Sequence, residues 1–210
     1  AQFDDFGVDK IHSLAPVSDV RPFTESDLRP RGNTPLVDAA YKMIRAVEGE
    51  LKNRLDSPKV IVCFQTDGQE NASREHTWAE LSALVKEKTG EGWEFNFMGV
   101  ELAAYEQAAK MGISSHNTIS VEMADAADNR AKFRATGQAQ QQYASGASAN
   151  TIYAGSMRTG KDAGNYEAWQ NMRRVHIPSP PPQPDAAFTP LSVASITKPR
   201  VTPVVKDFTL

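Results

Sequence analysis

The run Lys59-Val60-Ile61-Val62-Cys63-Phe64, followed at once by Gln65-Thr66-Asp67-Gly68, constrains this chain more than any other stretch. Five β-favouring residues in a row, stopped by Thr-Asp-Gly, predict a buried strand that ends in a tight loop. The Asp67 carboxylate then falls at the carboxyl end of a central strand, where open α/β sheets hold their ligands. Cys63, in the middle of the run, is expected to be a small core hydrophobe. About thirty residues upstream, Arg31-Gly32-Asn33-Thr34-Pro35-Leu36 opens a long helix with a hydroxyl at its mouth.

The remaining elements follow from periodicity. Residues 1–14 read as a hairpin turning near Phe6-Gly7, and 15–33 as loop, with Pro16, Pro22 and Pro30. From Pro35 to about Leu55, the positions Leu36, Ala40, Met43, Ile44, Val47 and Leu51 share one helical face. Pro35 suits the first turn, where its missing N–H has no partner to lose. Thr77-Trp78-Ala79-Glu80 has capping-box spacing and starts a second helix that buries Trp78, Leu81, Leu84 and Val85. Trp93 to Gly99 alternates as a strand, and Leu102 to Met111 is a short helix stopped by Gly112. Asn117 to Val121 is a last strand, followed by a helix from about Met123 to Tyr143. This order predicts an α/β, Rossmann-like fold: a largely parallel sheet with helices on both faces.

The character changes after residue 143. Residues 144–176 form an extension rich in Ala, Gly, Ser and Asn, with Tyr153, Tyr166 and Trp169 as scattered anchors. Residues 177–210 hold 8 of the 13 prolines, and such a tail favours extended polyproline II rather than a core. A disordered tail and an arm lying along a partner, anchored by Val201, Val204, Val205 and Phe208, both fit that composition.

Composition excludes several classes of function. With 23 basic and 26 acidic residues there is no nucleic-acid footprint. No apolar run approaches the ~18–20 residues that span a bilayer, so no membrane insertion is expected. A single cysteine rules out an internal disulfide framework, and the histidines at 12, 76, 116 and 176 have no zinc spacing. The acidic start Ala1-Gln2-Phe3-Asp4-Asp5 has no secretory h-region, which favours a cytoplasmic or virion location. Nor is an enzyme expected. No histidine stands beside a Ser or Cys nucleophile in a recognisable context, and Gly32-Asn33-Thr34 lacks the P-loop lysine. Asp67 with Glu70 offers a carboxylate pair but no electrophile to act on.

A Gly-x-Thr-Pro-Leu loop followed by a strand ending in Thr-Asp-Gly resembles the von Willebrand factor A (VWA) family. The likeness covers roughly residues 1–143. It is nearest to bacterial and phage VWA-like proteins with Thr-Asp-Gly-x-Glu-Asn-Ala-Ser and Gly-Trp-Glu-Phe, which stand here at 66–73 and 92–95. The resemblance implies a metal-ion-dependent adhesion site for Mg²⁺, with Thr34 and Asp67 as two of its oxygen ligands. Asn33, Gln69, Glu70, Asn71 and Ser73 would form a partner-binding rim. The alternative roles are a helix N-cap for Thr34 and an Asx turn for Asp67. The chain departs from the family at its start: the first strand and its Asp-x-Ser-x-Ser loop would precede residue 1. Asp207-Phe208-Thr209 is the one Asp-x-Ser/Thr triplet present.

Two functions follow as expectations. One is a non-enzymatic interaction module that binds a protein partner at the carboxyl end of the sheet, with a divalent metal as the candidate bridge. The other is a structural subunit of a larger assembly such as a virion. Without the family's first strand, a sheet position would also need filling: by a preceding segment, by another chain, or by residues 202–209.

Overall fold

The structure, a computed structural model, describes residues 1–146 except 13, 14, 23, 28, 30, 53, 57 and 123, together with residue 158 and residues 160–175. The expected Pro-rich tail at 177–210, the 202–209 segment and Tyr153 lie outside the described residues.

The chain opens on an antiparallel hairpin of β1 (Gln2–Asp4) and β2 (Gly7–Asp9), with Phe3 opposite Val8. Gly7 takes the turn at φ +123°, and the Asp4 carboxylate accepts the Phe6 N–H at 2.8 Å. Arg31 then straddles the hairpin, reaching Asp4 and Asp9 at 2.6 Å each. The segment leading into the first helix is thereby tied to the turn before that helix begins.

α1 (Leu36–Leu51) buries Leu36, Val37, Ala40 and Ile44, a stripe at helical spacing. β3 (Ile61–Gln65), β4 (Glu94–Val100) and β5 (Thr118–Val121) form a parallel sheet in that order. α2 (Trp78–Gly90) and α3 (Ala103–Lys110) provide the two crossovers. The expected capping box is present: Thr77 Oγ1 accepts the Glu80 N–H at 3.2 Å, and the Glu80 carboxylate accepts the Thr77 N–H at 2.7 Å. α4 (Ala126–Ala144) and α5 (Gly160–Val175) complete the described α-helices.

Among the described residues the fold is mixed α/β, with five α-helices around a three-stranded parallel sheet. Val62, Phe64, Phe95 and Phe97 pack with α1, α2 and α3 into the main core. Ile61 and Ile119, out of phase with that set, meet Ala139 and Tyr143 of α4. Among the described residues, no helix is long and apolar enough to cross a membrane.

The expected hairpin is present and stands as its own two-stranded sheet. Two expectations need correction. Cys63 is exposed rather than buried: β3 hides Val62 and Phe64 on one face, while Cys63 and Gln65 open outward on the other. Even so, enough protein surrounds the thiol that burial pushes its pKa up to about 11. Finally, the 144–176 extension carries a full helix, α5, which docks by buried polar groups. The Asp162 carboxylate accepts the Tyr105 hydroxyl at 2.6 Å, the Ser120 N–H at 2.7 Å and the Ser120 hydroxyl at 2.8 Å. Arg158 donates to Tyr105 Oη at 2.6 Å, the Thr118 carbonyl at 2.9 Å and the Ser115 carbonyl at 2.6 Å, and lies 3.9 Å over the Tyr166 ring.

Candidate functional site

Two loops meet at the carboxyl end of β3. Thr66 extends the pairing, its N–H donating to the Met98 carbonyl at 3.1 Å. Its hydroxyl then closes the Asp67-Gly68 turn, accepting the Gly68 N–H at 3.2 Å and donating to the Gly68 carbonyl at 3.1 Å. Thr34 comes against this turn so closely that a Cβ on Gly68 would lie 2.6 Å from Thr34 Oγ1. The Thr34 N–H donates to Asn71 Oδ1 at 2.8 Å and its carbonyl accepts the Asn71 N–H at 3.2 Å. Thr34 and the Asp67 turn, more than thirty residues apart in sequence, therefore share one site.

The expected rim residues divide into two groups. Glu70 and Ser73 are half-buried and engaged inside the fold. The Glu70 carboxylate accepts the Val37, Ala72 and Ser73 N–H groups at 2.8, 2.9 and 2.7 Å, and the Ser73 hydroxyl accepts the Asp38 N–H at 3.0 Å. They satisfy N–H groups that the first turn of α1 would otherwise leave without partners. Burial alone would raise the Glu70 carboxyl, but these donations outweigh it and hold its pKa below the ordinary value. Asn71 is exposed but spent on Thr34. Asn33 is exposed and tied to Asp5, its N–H at 2.8 Å and its amide at 3.1 Å from Asp5 Oδ2. Gly32, at φ +60°, permits that approach, since a Cβ there would meet the same oxygen at 2.1 Å. Asp67 and Gln69 are the exposed side chains of the turn itself, and the Asp67 carboxylate accepts no hydrogen bond from a described residue.

Sequence reading missed the two residues that hold the loops in register. Asp38, in the first turn of α1, accepts the N–H groups of Arg74 and His76 at 2.8 Å and of Glu75 at 3.2 Å. Gln107 of α3 accepts the Glu70 N–H at 2.9 Å and donates to the Gly68 carbonyl at 3.4 Å. An acid in a helix's first turn is an ordinary helix feature. Nothing in its spacing pointed to a loop 36 residues away.

The donor set bears on the expected Mg²⁺. The ion takes about six hard oxygens in near-octahedral geometry. Thr34 and Asp67 supply one hydroxyl and one carboxylate. Among the described residues no three Asp, Glu, His or Cys side chains gather as metal ligands. The nearby acids are committed elsewhere, Asp38 and Glu70 to backbone N–H groups and Asp5 to Asn33. These residues by themselves do not fit a tightly held Mg²⁺.

A second feature lies along the side of the sheet. The Glu94 N–H donates to the Val60 carbonyl at 2.8 Å, and Thr66 N–H to Met98, so the even-numbered residues of β3 turn their backbone groups toward β4. Ile61, Cys63 and Gln65 therefore point their N–H and C=O groups off the other edge, with which no described strand pairs. That edge borders a groove of about 830 Å³. Phe3 and Val8 of the hairpin form its far wall, and Ala39, Ala40, Met43 and Val47 of α1 lie along it.

Compared with known proteins, the chain matches no family model, no curated protein and no solved structure.

Proposed function

We propose that the chain is a non-enzymatic, VWA-like interaction module that binds a protein partner at the carboxyl end of its sheet, through the exposed Asp67 and Gln69 of the turn pressed against Thr34. One observation carries the reading: Thr34 Oγ1 and Gly68 are in contact, so the two loops present one surface. Glu70, Asn71 and Ser73 build that surface from beneath rather than touching the partner. Because Thr34 and Asp67 alone supply too few oxygens, a divalent ion would bind there only with further ligands from the partner or from solvent. Affinity capture with the whole chain and with Asp67→Ala, each with and without EDTA, tests the proposal. A partner lost with Asp67→Ala supports it, and EDTA sensitivity adds the ion. Equal capture by both chains contradicts it.

The outer edge of β3, with which no described strand pairs, favours a second reading, in which the chain is a structural subunit and the fold a packing block. A free strand edge is a ready template for pairing with another chain, and folded proteins normally cover or charge it. Here the edge is apolar and bordered by a groove. Stoichiometric, EDTA-insensitive assembly would support this reading.

A further inference from the structure

We infer that Asp67 is a modification site: its carboxyl condenses with the Gly68 amide into a five-membered succinimide, and hydrolysis of that ring leaves isoaspartate at position 67. The chemistry needs no co-reactant beyond water.

The bond that forms joins Gly68 N to Asp67 Cγ. The carboxyl hydroxyl and the amide proton leave together as water. Water then adds back at either ring carbonyl. Addition at Cγ breaks the new bond and restores aspartate. Addition at the main-chain carbonyl breaks its bond to Gly68 N, so that the chain now runs through Cβ and Cγ. Nothing is oxidised or reduced, and the product has the mass of the starting chain.

Sequence and structure select this position together. A side chain on the following residue obstructs ring closure, and glycine has none. Asp67-Gly68 is the one Asp-Gly step of the sequence, which has no Asn-Gly. Among the described aspartates, Asp38, Asp125 and Asp162 precede the next smallest residue, alanine, but each is engaged. Asp38 accepts the Arg74 N–H, Asp125 the Asp128 N–H and Asp162 the Ser120 N–H. Asp67 is exposed, and its carboxylate accepts no hydrogen bond from a described residue. The Gly68 N–H is held only by the Thr66 hydroxyl, a neutral acceptor, at 3.2 Å, the long end of the ordinary range. Neither residue belongs to a helix or a strand, since β3 ends at Gln65 and α2 begins at Trp78.

The fold also sets the consequence. Isoaspartate puts one extra methylene into the main chain where a Cβ on Gly68 would already lie 2.6 Å from Thr34 Oγ1. The lengthened turn cannot keep both that contact and its closure by Thr66. It swings off the entrance to α1, and the modified chain loses the partner surface; this last step rests on the first reading above.

The test keeps the full chain folded for several weeks at body temperature in neutral oxygen-18 water. The tryptic peptide 60–74 is then sequenced by electron-transfer mass spectrometry. Oxygen-18 is expected at residue 67, with isoaspartate there roughly 10-fold above that at any other aspartate, because only Asp67 is followed by glycine. Asp67→Glu, which would need a six-membered ring, should show neither. No label at residue 67 of the folded chain overturns the inference, even where the urea-unfolded chain takes it up, because the turn then protects the site. Equal isoaspartate at other aspartates also overturns it. The isoaspartate form, separated by ion exchange, is then carried through the affinity capture. A partner that Asp67→Ala loses but the isoaspartate form retains overturns the loss of surface. Equal capture by wild type and Asp67→Ala is instead a failure of the first reading, and the mapping of residue 67 stands apart from it.

Discussion

Thr34 Oγ1 and Gly68 touch so closely that any side chain on Gly68 would start 2.6 Å from the hydroxyl. Gly68→Ala should therefore push the Thr-Asp-Gly turn off the entrance to α1. Overpacking of this kind typically costs about 1–3 kcal/mol. Urea denaturation should show that loss, and a Thr34→Ser, Gly68→Ala double variant should not recover it, because the offending oxygen remains. Thr34→Ala combined with Gly68→Ala should recover most of it.

Asp38 collects three backbone N–H groups from the segment entering α2. Asp38→Ala leaves those donors unpaired where the side chain was 8 % exposed. The cost should be about 3 kcal/mol. The pH dependence has a definite sign. Burial would raise this carboxyl, but the Arg74, Glu75 and His76 donations outweigh it and hold its folded pKa below 3.8. Its contribution is thus present above the unfolded pKa and lost as pH falls through the folded one. The stability gap between wild type and Asp38→Ala should shrink on acidification below about pH 4, read by denaturation at successive pH values.

Glu94 runs the other way. It is 4 % exposed at the start of β4, and among the described residues its carboxylate takes one hydrogen bond, from the Asn117 amide. Burial raises its pKa from 4.5 to about 7, against the Asn117 hydrogen bond, which lowers it. The unfolded chain therefore ionises first, and stability is lost as pH climbs from about 4.5 to about 7. Glu94→Gln should match wild type near pH 4 and exceed it at pH 8, by at most ~3 kcal/mol. Paired thermal melts across that window check the difference; a constant gap at all pH values would contradict the assignment.

Asp162 anchors α5 from inside the protein, and Arg158 beside it is almost wholly enclosed. Asp162→Ala strands a buried cation and should cost about 3–5 kcal/mol. Tyr105→Phe removes one donor and should cost less, about 1–2 kcal/mol. Burial, and then the Asp162 charge, push the Tyr105 phenol up, so it remains a donor across the working pH range. Faster amide exchange in 160–175 than in α1 of the Asp162→Ala chain would show that the helix is released first.

The parts of this fold that were legible were local. The Thr77/Glu80 capping box, the Gly112 stop and the existence of strand β4 depend on neighbours in sequence, and each stands close to where it was expected, although β4 buries both its faces rather than alternating. The Cys63 expectation failed because an apolar run does not say which face of the strand will be covered. α5 escaped notice because no apolar stripe announces it; its seat is made by Asp162, Arg158 and Asn165, polar residues that pattern reading sends to solvent. The pairing of Thr34 with the Asp67 turn came from a motif. The internal work of Glu70, Asn71 and Ser73 did not, since it exists only once the start of α1 arrives beside them.

The central claim is that the Thr34–Asp67 end of the sheet meets the partner. Site-specific photo-crosslinking in the native host tests it most directly, with benzoylphenylalanine placed at Gln69 in one chain and at the exposed Lys86 of α2 in another. The account predicts one discrete crosslinked partner from position 69, lost when Asp67→Ala is added, and none from position 86. Crosslinks to that partner from position 86 with none from position 69 would contradict it.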